Sequence, residues 1–208
     1  LTDHFNFQMP TRIVWHSPAR QAVVAEALAL GAGRVLIVTD PGLSDTGLPA
    51  DIGTALEAAG IAVAVHADVA GNPTTNDVAA ARARADDDRS QAIIAIGGGS
   101  AIDTAKATAM LLANGGDYAD YQWEGRPITS RSCPFIAVPT PAGTGSEVSK
   151  VAVISDPAQP FKKGVVSPLM FAHAAVIDPS VTIGLPPHLT AATGMDAFVH
   201  ALEAYTGL

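Results

Sequence analysis

Short apolar segments alternate with helix-forming segments along most of this 208-residue chain, and this alternation restricts the folds that it can adopt. The segments 34–39 and 92–96 are apolar through their centres, as expected of strands that helices cover on both faces. Between them, residues 48–59 and 76–87 have helical patterns, and Gly60 ends the first of these helices. Strands that alternate with helices at this spacing predict an α/β fold with a parallel sheet.

The rest of the chain continues this alternation of strands and helices, except for one predicted hairpin. Ser17 and Pro18 predict the N-cap and the first residue of a helix. Segments 151–154 and 164–166 predict a short hairpin. The other predicted elements are helices at 19–30 and 100–113 and strands at 61–65, 135–138 and 174–177.

A change of pattern at Pro186-Pro187 indicates a domain boundary, because only helical signals follow from His188 onwards. We therefore predict an α/β domain over residues 1–184 and the beginning of a helical domain over residues 185–208. The chain does not begin with methionine, and its last residues have a helical pattern with little after them. We expect it to be a piece of a longer protein.

Composition and charge exclude several classes of protein. The 12 Lys and Arg residues are outnumbered by 20 Asp and Glu residues and are spread along the chain, so we expect no nucleic-acid partner. No apolar stretch reaches the roughly 18 residues of a membrane span, so no membrane partner is expected either. Cys133 is the only cysteine, which excludes an internal disulfide. These observations predict a cytoplasmic protein with small-molecule ligands.

Three consecutive glycines, Gly97, Gly98 and Gly99, separate the strand at 92–96 from the helix predicted to start at Ser100. Glycines let backbone N–H groups approach an anion closely, and the start of a helix directs unpaired amides and partial positive charge at the same place. This arrangement predicts a phosphate site, and therefore a nucleotide ligand.

Two known nucleotide-binding signatures do not match this loop. Ile102 stands where the dinucleotide fingerprint requires a small residue, and no Gly-Lys-Ser/Thr of a P-loop follows. A purely structural alternative is a tight turn in which Ser100 is the N-cap of the helix and Asp103 completes a capping box.

Asp40 ends the strand at 34–39 and begins the sequence Asp-Pro-Gly. Ligands of open parallel sheets bind outside the carboxyl ends of the strands, where this carboxylate could accept a hydrogen bond from a ribose 2′-hydroxyl. A 2′-phosphate would be repelled there, which favours NAD over NADP. The alternative is that Asp40 only caps its own turn.

The loop at 138–147 is rich in small and hydroxyl residues and follows another predicted strand. Such a loop can surround a polar ligand with hydroxyls and amides, or it can be a structural connection that caps a helix. It lacks the Gly-x-Ser-x-Gly order of a hydrolase nucleophile around Ser146.

Asp196 and His200 are four residues apart, so on a helix they share one face within reach of a single cation. One carboxylate and one imidazole suit a divalent transition metal, although two ligands are too few for a tight site. The alternatives are a surface pair without a ligand, and a capping box formed by Thr193 and Asp196.

These separate motifs occur together, in order, in one known family. They are Gly97-Gly98-Gly99-Ser100-x-x-Asp103-x-Ala105-Lys106, Pro139-Thr140-x-Ala142-Gly143-Thr144-Gly145-Ser146-Glu147, and Ala192-Thr193-Gly194-x-Asp196-Ala197-x-x-His200-Ala201-x-Glu203. In these motifs, and over nearly its whole length, the chain resembles the iron-containing (group III) alcohol dehydrogenases.

The resemblance implies a Rossmann-like dinucleotide-binding domain followed by a helical metal-binding domain, as in the dehydroquinate synthase-like architecture. Asp196 and His200 would be the first two metal ligands, and family members usually add two histidines from well downstream, which are not present here. The glycines and Ser100 would bind the pyrophosphate, and Asp40 the adenosine ribose. The implied cofactor-binding residues are Asp40, Gly97, Gly98, Gly99, Ser100, Asp103, Thr140, Thr144, Val153 and Lys162.

The activity implied by the resemblance is that of an NAD(P)-dependent alcohol dehydrogenase acting on a small alcohol, aldehyde or ketone. NAD is preferred to NADP, a divalent iron to zinc, and a homodimer or larger homo-oligomer is expected. Pro141 departs from the family, where a second threonine is common. One alternative is an enzyme resembling the maleylacetate reductases, which tend to carry asparagine in place of Asp196. The other is a truncated nucleotide-binding module, and we expect the 208-residue chain alone to be an inefficient catalyst.

Overall fold

Six parallel strands form the main sheet. The computed structural model describes residues 8–207. The strands of this sheet are β1 (Arg12–Trp15), β2 (Arg34–Val38), β3 (Ala62–His66), β4 (Ala92–Gly97), β5 (Phe135–Pro139) and β8 (Ala174–Ile177), and they lie in the order β1-β8-β5-β4-β2-β3. Strands β6 (Val151–Ile154) and β7 (Lys163–Val166) form a separate antiparallel pair. The predicted α/β fold with a parallel sheet is confirmed.

Helices cover both faces of the sheet. The helices are α1 (Ala19–Ala29), α2 (Pro41–Ser44), α3 (Leu48–Ala58), α4 (Thr75–Asp87), α5 (Gly99–Asn114), α6 (Tyr118–Gln122) and α7 (Pro187–Thr206). Helices α1 and α3 pack on one face of the sheet, and α4 and α5 pack on the other. Successive residues of a strand point to opposite faces, so Ile37 packs in the cluster of α1 and α3, whereas Leu36 and Val38 pack in the cluster of α5. The central strands β4 and β5 are buried along their whole length because helices cover them on both faces.

The order of the strands reverses next to β4. The chain proceeds from β2 outwards to β3, but from β4 it crosses in the opposite direction to β5. At such a switch point the loops that follow two adjacent strands diverge and leave a crevice outside their carboxyl ends. The loops that begin at Asp40 and Gly97 border this crevice.

The predicted hairpin is confirmed as β6 and β7, which lie outside the main sheet. A third apolar cluster holds the hairpin against α5 and α6 through buried residues that include Met110, Tyr118 and Ile154. The hairpin is therefore fixed to the same helix that follows the three glycines.

The structure corrects the predicted start of α1 and adds a strand. Pro18, not Ser17, occupies the N-cap position, and its side chain caps nothing. The Asp178 carboxylate caps the helix instead, with its Oδ2 atom accepting from the Ala19 N–H at 2.8 Å. Strand β1, absent from the prediction, pairs with β8 at the edge of the sheet.

The long helix α7 begins where the change of pattern predicted it and continues to Thr206; Leu208 lies outside the described residues. Every described side chain of α7 is exposed except those of Thr193 and Asp196, which are partly buried. Within residues 8–207, no helix is both long and apolar enough to cross a bilayer. The division into domains at residues 184 and 185 stays a prediction.

Candidate functional site

Asp40 and Gly97 are neighbours at the carboxyl edge of the sheet, as expected for residues that follow adjacent parallel strands. The two oxygens of Asp40 have different surroundings. Oδ1 accepts a hydrogen bond from the Leu43 N–H at 3.0 Å and caps α2. Oδ2 faces the turn formed by residues 97–99, called the glycine turn below. It lies 3.4 Å from the position that a Cβ atom on Gly97 would take. The capping role of Asp40 is therefore present, and it leaves one carboxylate oxygen directed at the crevice.

The glycine turn requires glycine for steric reasons. Gly97 has φ of +152°, and a Cβ atom there would lie 2.7 Å from the Cβ atom of Ala101. Helix α5 begins at Gly99 without a side-chain cap, because its N-cap residue is Gly98. Ser100 lies inside the helix, and its hydroxyl donates to the Gly71 carbonyl at 2.9 Å. The capping box of Ser100 and Asp103 is thus not formed. The first amides of α5, which have no acceptor within the helix, are directed at the crevice and suit an anion.

The glycine turn lies between two cavities of ligand size, about 670 and 730 Å³. On one side, a Cβ atom on Gly98 would lie 3.4 Å from Cδ of Pro141, which lines the first cavity with Asp40. On the other side, a Cβ atom on Gly99 would lie 3.3 Å from Cγ2 of Thr144, which lines the second. Both cavities are therefore bordered by the same turn.

Most hydroxyls of the loop after β5 bind the loop itself or the segment beside it. The buried Thr140 hydroxyl donates to the Val181 carbonyl at 3.2 Å, and Oγ1 of Thr144 accepts from the Ser146 N–H at 3.3 Å. Residues Ser146–Val148 form a 3-10 helix. The loop hydroxyls are thus engaged by other protein groups, while Thr140 lines the first cavity and Thr144 the second.

The β6–β7 hairpin forms the far wall of the second cavity. Val153 lines it from β6, and Lys162 lines it from the turn before β7. The Lys162 ammonium donates to Oδ1 of Asn72, whose loop also contacts Ser100 through the Gly71 carbonyl. The structure therefore brings these two predicted residues into the same cavity as the start of α5.

Asp103 lines the second cavity, but its carboxylate is largely engaged by other protein groups. It accepts from the Ser146 hydroxyl and, through Oδ2, from the Val153 N–H at 2.9 Å. Lys106, for which the sequence analysis predicted no separate role, is fully buried with its Nζ atom 3.4 Å from Oδ1 of Asp103. Burial lowers the pKa of Lys106, and the charge of Asp103 opposes this effect. The signal for this residue was a single charged side chain within the otherwise uncharged segment 104–112 of α5.

Asp196 and His200 lie one turn apart on α7, with Oδ1 of Asp196 3.8 Å from Nε2 of His200. Their side chains are 43% and 55% exposed, so both can reach a ligand. Asp196 also lines the second cavity. The capping box predicted as an alternative is wrong, because Thr193 lies inside α7 and its hydroxyl donates to the Leu189 carbonyl at 2.9 Å.

The Asp196 and His200 side chains fit part of a metal site. Their oxygen and nitrogen donors face one another at a separation that a single bound cation can bridge. Among residues 8–207, no group of three or more His, Cys, Asp and Glu side chains is close enough to hold a metal ion. The pair could supply two ligands, which is fewer than the three or four of most catalytic metal sites.

Helix α7 contacts the loop after β5 directly. A Cβ atom on Gly143 would lie 2.3 Å from the backbone oxygen of Thr193, so only glycine permits this approach. The contact brings the Asp196 side of α7 to the edge of the second cavity.

Comparisons with known proteins agree on one family. A family profile described as iron-containing alcohol dehydrogenase matches residues 10–179. A choline dehydrogenase of Bacillus subtilis (strain 168) is 38% identical over 202 residues, which are 96% of this chain and 50% of that protein. The chain spans about half the length of the curated relatives that it matches.

Solved structures give the same result. A sulfoacetaldehyde reductase from Bifidobacterium kashiwanohense, in complex with NAD+, matches with a TM-score of 0.90 and 32% identity, covering 97% of this chain and 53% of that one. The NADH-dependent butanol dehydrogenase A of Thermotoga maritima matches with a TM-score of 0.89 and 30% identity, covering 96% of this chain and 50% of that one. The similarity therefore extends over the glycine turn and the two cavities beside it, which together are called the cleft below.

Proposed function

The chain belongs to the iron-containing alcohol dehydrogenase family, and on this basis we propose that it is the cofactor-binding part of a metal-dependent alcohol dehydrogenase. The complete enzyme would transfer a hydride between a nicotinamide cofactor and a small alcohol, aldehyde or ketone. The observation that carries the proposal is the glycine turn between two cavities, with Asp40 beside one and Asp196 beside the other.

A dinucleotide matches this arrangement because it has two ring systems joined by a pyrophosphate. The pyrophosphate would bind at the glycine turn, on the amides of Gly99 and Ser100 at the uncapped start of α5. The adenosine would occupy the first cavity, where Oδ2 of Asp40 accepts from a ribose hydroxyl. The nicotinamide would occupy the second cavity, between Thr144 and the hairpin that carries Lys162. The nicotinamide supplies the hydride chemistry, and the protein orients it.

NAD is the proposed cofactor in preference to NADP. The free carboxylate oxygen of Asp40 suits a ribose 2′-hydroxyl, and its negative charge would repel a 2′-phosphate. Capping of α2 by Oδ1 holds this side chain in place before any ligand binds.

Asp196 and His200 would hold a divalent metal, iron in preference to zinc, together with ligands from outside this chain. When bound, such a metal acts as a Lewis acid on the oxygen of the alcohol or carbonyl substrate. The Asp196 carboxylate lines the same cavity as Lys162, which would bring this chemistry to the nicotinamide end of the cleft.

A nucleotide-binding module without redox activity is the second candidate. The family match and the similar alcohol dehydrogenases do not favour this candidate. A maleylacetate reductase-like enzyme is less compatible with Asp196. For the complete protein, we also propose a small alcohol or aldehyde substrate, a homo-oligomeric assembly and a cytoplasmic location.

Titration of the 208-residue chain with NADH, followed by fluorescence, tests the proposal. We expect saturable binding of NADH, weaker binding of NADPH, and little change when divalent iron or zinc is added. Absence of binding of both nucleotides by the folded chain would contradict the proposal.

The metal role of Asp196 is tested in the complete protein. Asp196→Ala should remove metal-dependent turnover and lower the bound metal content while NADH binding is retained. His188→Ala, which alters a histidine near the start of α7 outside the pair, should retain both turnover and metal. Unchanged turnover in Asp196→Ala would exclude the aspartate from the metal site.

A further inference from the structure

Lys106 is a buried cation whose hydrogen bonds join α5 to two other segments. Its Nζ atom donates to the backbone carbonyl of Ser146 at 2.9 Å and to that of Val151 at 2.6 Å. It also lies beside the Asp103 carboxylate on the same helix. Burying a lysine is costly unless its donors are satisfied, and here protein acceptors satisfy them.

Asp103 and Lys106 bind the free edge of β6. Strand β7 pairs with the other edge, where the Ser167 N–H donates to the Lys150 carbonyl. Because backbone groups alternate along a strand, residues 151 and 153 direct theirs away from β7. On that side the Val151 carbonyl accepts from Lys106 and the Val153 N–H donates to Asp103. The two side chains thus take the place of a neighbouring strand.

Helix α6 holds the same strand from a different direction. The Tyr118 hydroxyl donates to the Ala152 carbonyl at 2.9 Å, and Nε2 of Gln122 donates to the Ile154 carbonyl at 2.7 Å. These bonds attach β6 to α6 independently of the bonds from α5. The contribution of α5 is therefore to fix how far β6 lies from the start of that helix.

The distance from the start of α5 to β6 sets the width of the second cavity. Gly99 lies at the start of α5, and Asp103 and Lys106 lie one and two turns further along, within about 11 Å. Val153, held by Asp103, and Lys162, in the same hairpin, form the opposite wall. A rigid helix thus connects the glycine turn to that wall.

We propose that Lys106, paired with Asp103, is a positioning residue that fixes the β6–β7 hairpin as the wall of the cleft at the nicotinamide end of the dinucleotide. This inference rests on the function proposed above and adds a residue that touches neither ligand nor metal. The pair acts through Val151 and Val153, so its effect is confined to one half of the ligand.

The affinities for two ligands, NADH and ADP-ribose, distinguish this positioning role from a general structural role. NADH contains both ring systems, whereas ADP-ribose has the adenosine, the pyrophosphate and a ribose but no nicotinamide. The chain with Lys106→Met should bind NADH about tenfold more weakly, and ADP-ribose within about twofold of the original affinity, because only the nicotinamide wall has lost its charged hydrogen bonds. Lys150→Met, which removes an exposed lysine next to β6, is the matched control and should change neither affinity.

The possible outcomes are distinct. Equal weakening of both ligands by Lys106→Met, or weakening of neither, would overturn the positioning role while leaving the proposed function intact. An unaltered chain that binds neither ligand would instead refute the proposed function, and with it this inference.

Lys106→Met leaves the Asp103 carboxylate unpaired in a largely buried place, which destabilises the fold. A second variant keeps the proposal testable if Lys106→Met unfolds. The double variant Lys106→Met/Asp103→Asn removes both charges together. Hydrogen exchange of the Val153 amide should accelerate in this variant, whereas amides in the buried strand β4 should exchange as before. Equal acceleration in β4 and β6, or no acceleration in β6, would overturn the proposal.

Discussion

The start of α5 and the Asp196 face of α7 both carry short motifs for which we predict ligands, yet the chain supports them in different ways. The glycine turn is enclosed by β2, β4 and the loop after β5, and a side chain at Gly97 would collide with Ala101. The Asp196 and His200 side chains extend from a helix that has no buried residue. Binding through backbone amides requires fixed surroundings, whereas a side-chain ligand pair can be carried on an exposed helix and completed by other parts of a protein.

This difference predicts that nucleotide binding and metal binding are separable in this chain. The strongest test makes the same substitution in both regions. A Cβ atom on Gly97 has no room and φ is positive, whereas a Cβ atom on Gly194 of α7 would meet nothing within 4 Å.

Gly97→Ala should weaken NADH binding by about 100-fold, because displacing two amides from a charged group costs ~1.5 kcal/mol or more for each. Gly194→Ala should leave NADH affinity unchanged and stabilise α7 by up to about 1 kcal/mol, since alanine favours a helix over glycine. Fluorescence titration and thermal unfolding measure the two effects. Similar losses of NADH affinity in both variants would contradict the proposed difference between the two regions.

Asp40 offers a sharper test within the enclosed region, because its two oxygens have separate tasks. Asp40→Asn keeps an oxygen that can cap α2 but removes the charge that faces the ribose. The ratio of NADPH to NADH affinity should rise by about tenfold, the effect of one lost charge repulsion near the surface. Asp45→Asn removes the same charge from the other end of α2 and should leave the ratio unchanged. An equal response of both variants would exclude a specific role for Asp40.

The smallest expected effect concerns His173, which precedes β8 at the end of the sheet opposite to the cleft. Burial, and then the charge of Arg131, lower the pKa of His173 from 6.5 to about 4. The unfolded chain therefore binds a proton at this group between these pH values while the folded chain does not, so stability is present above pH 6.5 and is lost as the pH falls towards 4.

Urea unfolding at pH 7.5 and 5.5 measures this loss. We expect His173 to account for roughly 1 kcal/mol of the difference in unfolding free energy, reduced from the full linkage value because the ring is partly solvated. His173→Gln should remove that contribution and leave NADH affinity unchanged, since the residue lies far from the glycine turn. An identical pH dependence in the variant would exclude His173 as its source.

Local patterns predicted much of the fold and part of the site. The strands and helices around the glycine turn follow from continuous apolar segments and glycine stops, which act within a few residues. The proximity of Asp40 and Gly97 also follows, because adjacent parallel strands end at the same edge of a sheet.

The remaining features depend on contacts between distant residues. Asp178 caps α1 across 159 positions, and the acceptors of Lys106 lie 40 and 45 positions further along the chain. Strand β1 was not predicted because it is short, mostly exposed and at the edge of the sheet. No local pattern contains this information, since it arises only when the elements pack.

The approach of Gly143 to the backbone of Thr193 has a mechanical consequence. Two backbones that meet without an intervening side chain form a hard stop, because peptide groups cannot be compressed as a flexible side chain can. At that point α7 cannot move closer to the loop after β5, although it can move away from it. The closest approach of α7 to the edge of the second cavity is therefore set by the thickness of the main chain.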